Sequence, residues 1–482
     1  MDTLPAPVRS SPARRWRRLA AVGLLVIAGQ GAALAQPQPQ DDPPGRVGRV
    51  AEIAGGVRTI DAEGAWTDVD RNQPLSTGDR IATDPSGGAT LEFGSTVVRL
   101  GPDSDLVVTQ LDDQRIRLRF DHGRLAVRVR SDDIPGELFI ETDEGAWVPH
   151  HPGQYRFDRA ARGVLAAQAW SGDMLLEAAD SSLPVKAAQR AEVWRQGARQ
   201  ATQYRLVPAV KDAFGDAVLA ADRRDDAPAP KNAAARLPPE MTGGADLARD
   251  GTWGSGPGGQ PVWTPAKLPA GWQPYQQGAW TWRARWGWTW VDDQPWGFAP
   301  FHYGRWLQVK GRWAWTPGQW GARRPVYAPA LVGWFGGPAL AVDGAPAIGW
   351  VALAPDEPVF PAYAVSARYW GALNEASVAP AARAPISIGG RARLVPTGGT
   401  HYANQAVAGA AGVVAASALA PHVPVAQMPV ARGPAQRAPA FRKMLAAATA
   451  MAPPPPPAGR GGLSAGVPVV PVPLAAASRA AR

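Results

Sequence analysis

Polar and apolar residues alternate most cleanly between Arg115 and Arg130, in "RIRLRFDHGRLAVRVR". Ile116, Leu118 and Phe120 interleave with Arg115, Arg117 and Arg119. After Asp121-His122-Gly123, Leu125, Val127 and Val129 interleave with Arg124, Arg128 and Arg130. A period of two on both sides of a short Gly-containing loop predicts a hairpin with one buried and one arginine-rich face. "ATLEFGSTVVRLGPDS" predicts a second hairpin, turning at Gly94-Ser95 and Gly101-Pro102. Such units recur from Gly45 to about Glu192, which predicts an all-β sandwich or roll.

The pattern then changes twice. Residues 195–240 read as a loose linker, with a helical stretch near Val210 to Arg224. From Trp253 to Trp320 there are 13 tryptophans in 68 residues, and the stretch repeats itself. "GWQPYQQGAW" from Gly271 aligns with "GFAPFHYGRW" from Gly297, and "RWGWTW" from Arg285 aligns with "RWAWTP" from Arg312. Each copy reads as a Gly/Pro turn followed by short strands, which predicts stacked β-hairpin units over a domain of residues 241–375. Trp280/Trp282, Trp286/Trp288/Trp290 and Trp313/Trp315 each place their rings on one strand face. An indole covers roughly 150–250 Å². Thirteen exposed ones would make the chain insoluble, so most are expected in the core.

The turns between these strands offer a candidate ligand site. Tyr275, Trp296, Phe298, Phe301, His302, Tyr303 and Arg305 sit among Pro and Gly, where rings are harder to bury. Asp292 and Asp293 share their loop. Exposed rings beside carboxylates and an arginine would suit stacking on sugars, prolines or cations. Glycoside hydrolysis needs two carboxyl groups across one bond, and adjacent residues of an extended strand point to opposite faces, so Asp292-Asp293 makes a poor dyad. His150-His151 reads as a surface turn rather than a metal site. The chain has no cysteine, which removes disulfides, thiolate nucleophiles and Cys-ligated metals. P-loop, dinucleotide, zincin, EF-hand and Gly-x-Ser-x-Gly motifs are missing, so no cofactor is expected.

From Ala376 the chain is Ala, Pro, Val and Gly with ten Lys/Arg and no acidic residue. That composition predicts a basic, disordered tail over 376–482, able to touch anionic envelope surfaces. Between Gln36 and Glu375 there are 35 basic against 40 acidic residues, so the formal +9 belongs to the ends and argues against nucleic-acid binding. At the start, Arg9, Arg14, Arg15, Arg17 and Arg18 precede an apolar run from Leu19 and the small-residue pattern Ala33-Leu34-Ala35. This predicts a secretory signal over 1–35, cleaved after Ala35. An uncleaved anchor is the alternative, although Gln30 with Gly29 and Gly31 makes a poor membrane helix. A cleaved chain would carry no transmembrane span and be periplasmic or secreted.

Two resemblances follow from these stretches. "GRVGRVAEIAGGV", Trp66, "PLSTGDRIATDPSGGATLEFGSTVVRLGPDSDL" and "LRFDHGRLAVRV" resemble the periplasmic FecR-type domain over about 46–180, within a β domain expected at 46–194, with Pro152 to Phe157 departing from its usual Gly-Thr-x-Phe step. FecR proteins relay receptor occupancy to a sigma factor through a cytoplasmic segment, and here a signal peptide stands in that place. Trp286 to Trp306, Arg312 to Gly318, Pro325 to Val332 and Gly349 to Asn374 resemble a tryptophan-rich bacterial envelope domain of uncharacterised function, often found behind a FecR-like domain. The expectation is an exported, non-enzymatic binding or scaffolding protein of the envelope. Its partner would be an envelope protein, a glycan or peptidoglycan. A cell-wall or polysaccharide hydrolase and a FecR-related sensory component are the alternatives.

Overall fold

Strands dominate, in two regions built on different principles. The computed structural model describes residues 42–473, apart from 61–65, 161–162, 227–236, 322, 384–385, 398, 400, 432–437, 456 and 458–466. The expected signal, 1–35, lies outside the described residues, as do 474–482 of the expected tail.

In the N-terminal region one sheet runs Gly48–Ala54, Gly88–Phe93, Thr96–Leu100, Ile116–Val129, Gly153–Arg159, Leu165–Ser171, Arg190–Gln196 and Ala201–Val207, all antiparallel. The other runs Trp66–Asp68, Val57–Ile60, Arg80–Thr83, Asp105–Leu111, Ile116–Val129, Leu138–Glu141, Ala146–Pro149, Met174–Glu177 and Ser182–Val185. Ile116–Val129 belongs to both. The hairpin expected at Arg115–Arg130 is therefore one strand that changes sheet. Its first half pairs with Asp105–Leu111 and Leu138–Glu141, its second with Thr96–Leu100 and Gly153–Arg159. The chain pivots at Gly123, where φ is +101° and a Cβ would strike Ser104. The alternation itself holds: Ile116, Leu118, Phe120, Leu125, Val127 and Val129 share one buried, mainly aliphatic core.

Residues 195–226 of the expected linker are folded. Ala201–Val207 extends the first sheet, and helix Ala213–Asp225 lies over that sheet's arginines. Asp212 caps the helix by accepting from Gly215 N at 2.9 Å, and takes two bonds of 2.7 Å from Arg156. At the other end Asp222 and Asp225 take Arg99, and Asp226 takes Arg128. The arginine face is thus covered by carboxylates at both ends of this helix, a match visible only once both elements are formed.

The tryptophan-rich region is assembled from small sheets. Gly251–Ser255, Pro261–Pro265, Arg312–Thr316 and Arg305–Val309 form one, and Gly278–Arg283 with Gly287–Asp292 form a hairpin. Val332–Gly336 pairs with Ala345–Ala352. The two repeat copies therefore become two hairpins, as their alignment predicts. Equivalent positions meet: Tyr275 and Phe301 stack edge-on at 4.8 Å, and the Tyr275 hydroxyl donates to Phe301 O at 2.7 Å. Equivalent Gly278 and Gly304 carry Trp290 and Trp315 so closely that a Cβ would overlap the rings.

Packed strands continue past the boundary expected at Ala376. Gly412–Ala415 and Thr449–Ala450 flank the Val332–Ala352 pair, and Arg391–Pro396 lies parallel to Val469–Val472. Val413, Val414, Val425 and Phe441 enter the aromatic core. The two regions also touch. Val47 is buried in the aromatic core, Arg283 bonds Asp79, and Arg324 bonds Glu137 with two contacts of 2.8 Å.

Candidate functional site

The expected aromatic platform is not on the surface. Tyr275, Trp296, Phe298, Phe301, His302, Tyr303 and Arg305 are all buried, His302 completely and Arg305 to within 2%. The turns fold inward because their own polar groups finish the core's hydrogen bonds. Trp306 Nε1 donates to Pro300 O at 2.8 Å and Trp315 Nε1 to Tyr303 O at 2.7 Å. Arg305 donates through Nε to Glu357 O, through Nη1 to Gly304 O and through Nη2 to Asn374 Oδ1. Burial pulls its pKa down to about 10. His302 Nδ1 lies 2.8 Å from Ala328 O, which accepts only, so Nδ1 carries the proton. Burial pushes this imidazole down to about 3, so it is neutral.

Asp292 and Asp293 separate as strand geometry requires. Asp292 is buried, accepts from Trp290 Nε1 at 3.0 Å and Gln294 N at 2.9 Å, and burial holds it well above the usual carboxylate range. Asp293 alone of the set is exposed. Nine residues that were expected to form one ligand site are instead eight core residues and one surface carboxylate.

A different place has the shape of a site. A cleft of about 710 Å³ opens between the N-terminal region and the start of the tryptophan-rich region. Its apolar side includes Leu237, Pro238 and Trp253, all partly exposed. Its polar side includes Glu92, Asp225, Asp246 and Arg249. Behind them lies Arg49, only 1% exposed, which joins the two regions. Its Nε donates to Glu92 at 2.9 Å, Nη1 to Asn72 Oδ1 at 3.0 Å and Nη2 to Asp246. Asn72 in turn donates to Asp292 O at 2.9 Å and Gln294 O at 2.7 Å.

The carboxylates here are spoken for. Asp246 gives Oδ2 to Arg49 and Oδ1 to Arg249 at 2.6 Å. Asp225 takes Arg99 at 2.7 Å and Arg249 at 3.3 Å. Burial pushes Asp246 up to about 6 against the pull of Arg49, with Glu92 adding to the push. Burial also opposes the Arg49 cation, but Asp246 and Glu92 outweigh it and its pKa rises. Removing one partner of such a buried pair strands the others, a cost of about 3–5 kcal/mol. The arrangement clamps two regions together and leaves an open, mixed apolar and charged surface beside the clamp.

Sequence reasoning missed Arg49, Glu92, Asp246 and Arg249. Arg49 and Asp246 are 197 positions apart, and "GGADLARD" gives no periodic signal. The spacing of Asp246 and Arg249 is the single local hint, since residues three apart meet on a helical turn.

Residues 244–357 match a family of unknown function, DUF6600. That span carries Asp246, both hairpin repeats and Glu357, but less than half of the chain. No curated protein sequence matches. Among solved structures, two crystal structures of a candidate anti-sigma factor from Parabacteroides distasonis are similar at 12% and 13% identity, with TM-scores of 0.24 and 0.23. Each likeness covers 27% of this chain and 60% of that chain. Overlap at that level carries no argument about activity. Among the described residues no helix is long and apolar enough to cross a membrane.

Proposed function

We propose that this chain is an exported, non-enzymatic protein of the cell envelope. In this reading the N-terminal region is a FecR-like domain, and the cleft holds an extended segment of another envelope protein as part of a scaffolding or regulatory assembly. The observation that supports it best is the state of the cleft's acids. Asp246 is held by two arginines, Asp225 by three, and Glu92 by Arg49. Carboxylates so engaged are poorly placed to pass protons to and from a substrate. A strip of Leu237, Pro238 and Trp253 beside them suits the side chains of a polypeptide.

The test fills the cleft. Ala245 is exposed on its wall, so Ala245→Trp occupies the space without touching the clamp. Retention of the purified full chain is measured on peptidoglycan, on envelope polysaccharide and on immobilised envelope proteins. Retention by envelope proteins, at least tenfold weaker for Ala245→Trp, is the expected result. Equal retention of both forms removes the cleft from the function.

The hydrolase reading keeps one favouring observation, the raised Asp246 beside Glu92 on a large cleft. Release of soluble fragments from peptidoglycan or polysaccharide, abolished in Asp246→Asn, would replace the binding reading with that one.

A further inference from the structure

The tryptophan-rich region has a second concavity, far from the cleft in character and already covered. Its walls include Trp286, Trp288, Trp334 and Phe360, with Pro329 and Pro361, and among the described residues no charged side chain lines it. Across it runs Ala452 to Pro455, the start of the unbroken proline run of the sequence. The run is aimed into the groove from one end. Thr449–Ala450 pairs with Val332–Gly336, and Met451 N donates to Trp334 O at 2.9 Å. Pro454 is then buried while Pro455 stays exposed, and Pro455 O accepts from Trp288 Nε1 at 3.2 Å.

These are the elements by which proteins read polyproline-II helices. Prolines lack N–H groups, so the ligand's carbonyls point outward unused. Aromatic ridges grip its rings, and an indole N–H bonds a carbonyl. The fit in cis is incomplete. A void of about 20 Å³, room for about one water, remains against Trp286. The Trp286 indole N–H, on a ring that is 1% exposed, has no partner among the described residues. The described indole bond to the strap, from Trp288, lies near the long end of the range.

We propose that this groove is a receptor for uncharged proline-rich segments, held closed by the chain's own Ala452–Pro455, and that a proline-rich stretch of another envelope chain displaces this strap and engages the groove. The lack of charge on the walls sets the class: the ligand is a proline run, not a basic or acidic peptide. The short tethering strand at Thr449–Ala450 lets the strap lift while the core stays formed.

The experiment uses the full chain and a synthetic proline octamer, with a Gly-Ser octamer of equal length as control. Binding is measured by calorimetry and by the indole N–H resonances of labelled tryptophan. The combined variant Pro453→Ser, Pro454→Ser, Pro455→Ser weakens the strap. It is expected to bind the proline octamer at least tenfold more tightly than the natural chain and to ignore the control. The Trp286 and Trp288 indole resonances should both move. Adding Trp288→Phe, which keeps a ring and removes the N–H, should lower that affinity about tenfold. Ala245→Trp should change nothing, which separates this groove from the cleft. If the strap variant is folded by near-ultraviolet dichroism and binds no better than the natural chain, the proposal fails. If it does not fold, the natural chain decides: saturable movement of both indole resonances with the proline octamer supports the receptor, and none overturns it.

Discussion

The two regions solve the same packing problem with opposite materials. The N-terminal core is mainly aliphatic, closed by two sheets that share the 14-residue strand Ile116–Val129, and Trp147 is its one tryptophan. The C-terminal region has strands of two to eight residues, too short to satisfy the turns between them. There the indoles do the missing hydrogen bonding. Trp263 donates to Leu247 O at 2.7 Å, Trp350 to Tyr275 O at 2.9 Å and Trp370 to Val359 O at 2.9 Å, besides the bonds of Trp306 and Trp315. Each of these rings fills volume and bonds a backbone carbonyl of a short helix or loop. At these positions tryptophan does what phenylalanine could not, since a phenyl ring has no N–H to donate.

The largest effect should come from deleting such a ring. Trp306 is buried against Trp272 at 5.4 Å and Phe301 at 5.7 Å. Trp306→Ala should destabilise by roughly 3–5 kcal/mol, at or above the roughly 2–5 kcal/mol of Leu118→Ala in the aliphatic core. Denaturant titration of both variants checks this. Near-zero loss for Trp306→Ala would place the rings outside the core after all.

Trp306→Phe sharpens the contrast. It keeps most of the apolar area but orphans Pro300 O, at a cost of roughly 1–3 kcal/mol. Restoring stability to the natural level with phenylalanine would mean the indole bond contributes nothing. Volume alone would then explain the composition.

The regions also differ in charge, and so in their response to pH. In the N-terminal region hydrogen bonds from Arg156 hold Asp212 well below its usual 3.8, and for Asp143 Arg119 and Arg159 outweigh the upward push of burial. Those carboxylates stabilise the fold above about pH 4, and that contribution is lost as pH falls through their lowered values. In the aromatic region the sign reverses. Burial pushes Glu357 up to about 7 from 4.5, so its folded form holds a proton that the unfolded form has released. Its contribution is complete below pH 4.5 and is lost as pH rises through about 7. Glu357→Gln should therefore lessen the fall in stability between pH 5 and 8, followed by tryptophan fluorescence in denaturant. His302 acts in the other direction. It is neutral when folded down to about pH 3 and protonates below 6.5 when unfolded, so it must be left intact in this comparison. An unchanged slope in Glu357→Gln would show that Glu357 titrates normally.

The sequence made some of this readable and hid the rest, for physical reasons. Alternation from Ile116 to Val129 marked the buried side chains correctly, because period two is local. It did not distinguish a hairpin from a strand shared by two sheets, because that depends on Thr96–Leu100, Leu138–Glu141 and Gly153–Arg159 arriving as partners. The density of tryptophan forced an aromatic core. Pro and Gly around Phe298 to Tyr303 suggested surface turns, yet the indole-to-carbonyl bonds draw those turns inside. Val413 and Val414 sit in an Ala/Val stretch with no period, so nothing local marked a strand that is completed by Ala345–Ala352. The clamp at Arg49 was hidden by its 197-residue span.

The smallest expected effect lies one residue from a large one. Asp292 accepts two hydrogen bonds inside the core, from an indole and from the Gln294 amide, and no side-chain change there is neutral. Asp293 sits at the surface of the same turn, where partial burial of its carboxyl and then the nearby Asp70 push its pKa upward. Replacing it removes a charge that gains nothing from its neighbours. Asp293→Asn should therefore change stability by no more than about 0.5 kcal/mol, as surface substitutions do, and relief of the Asp70 repulsion should make any change favourable. Asp292→Asn keeps one accepting oxygen and offers an amide where an acceptor stood, so it should cost about 1–3 kcal/mol. Thermal unfolding of the two variants side by side measures the step from core to surface across a single peptide bond. Equal losses would mean that the loop turns Asp293 inward as well, and the aromatic region would then have no exposed member of the set first expected to bind a ligand.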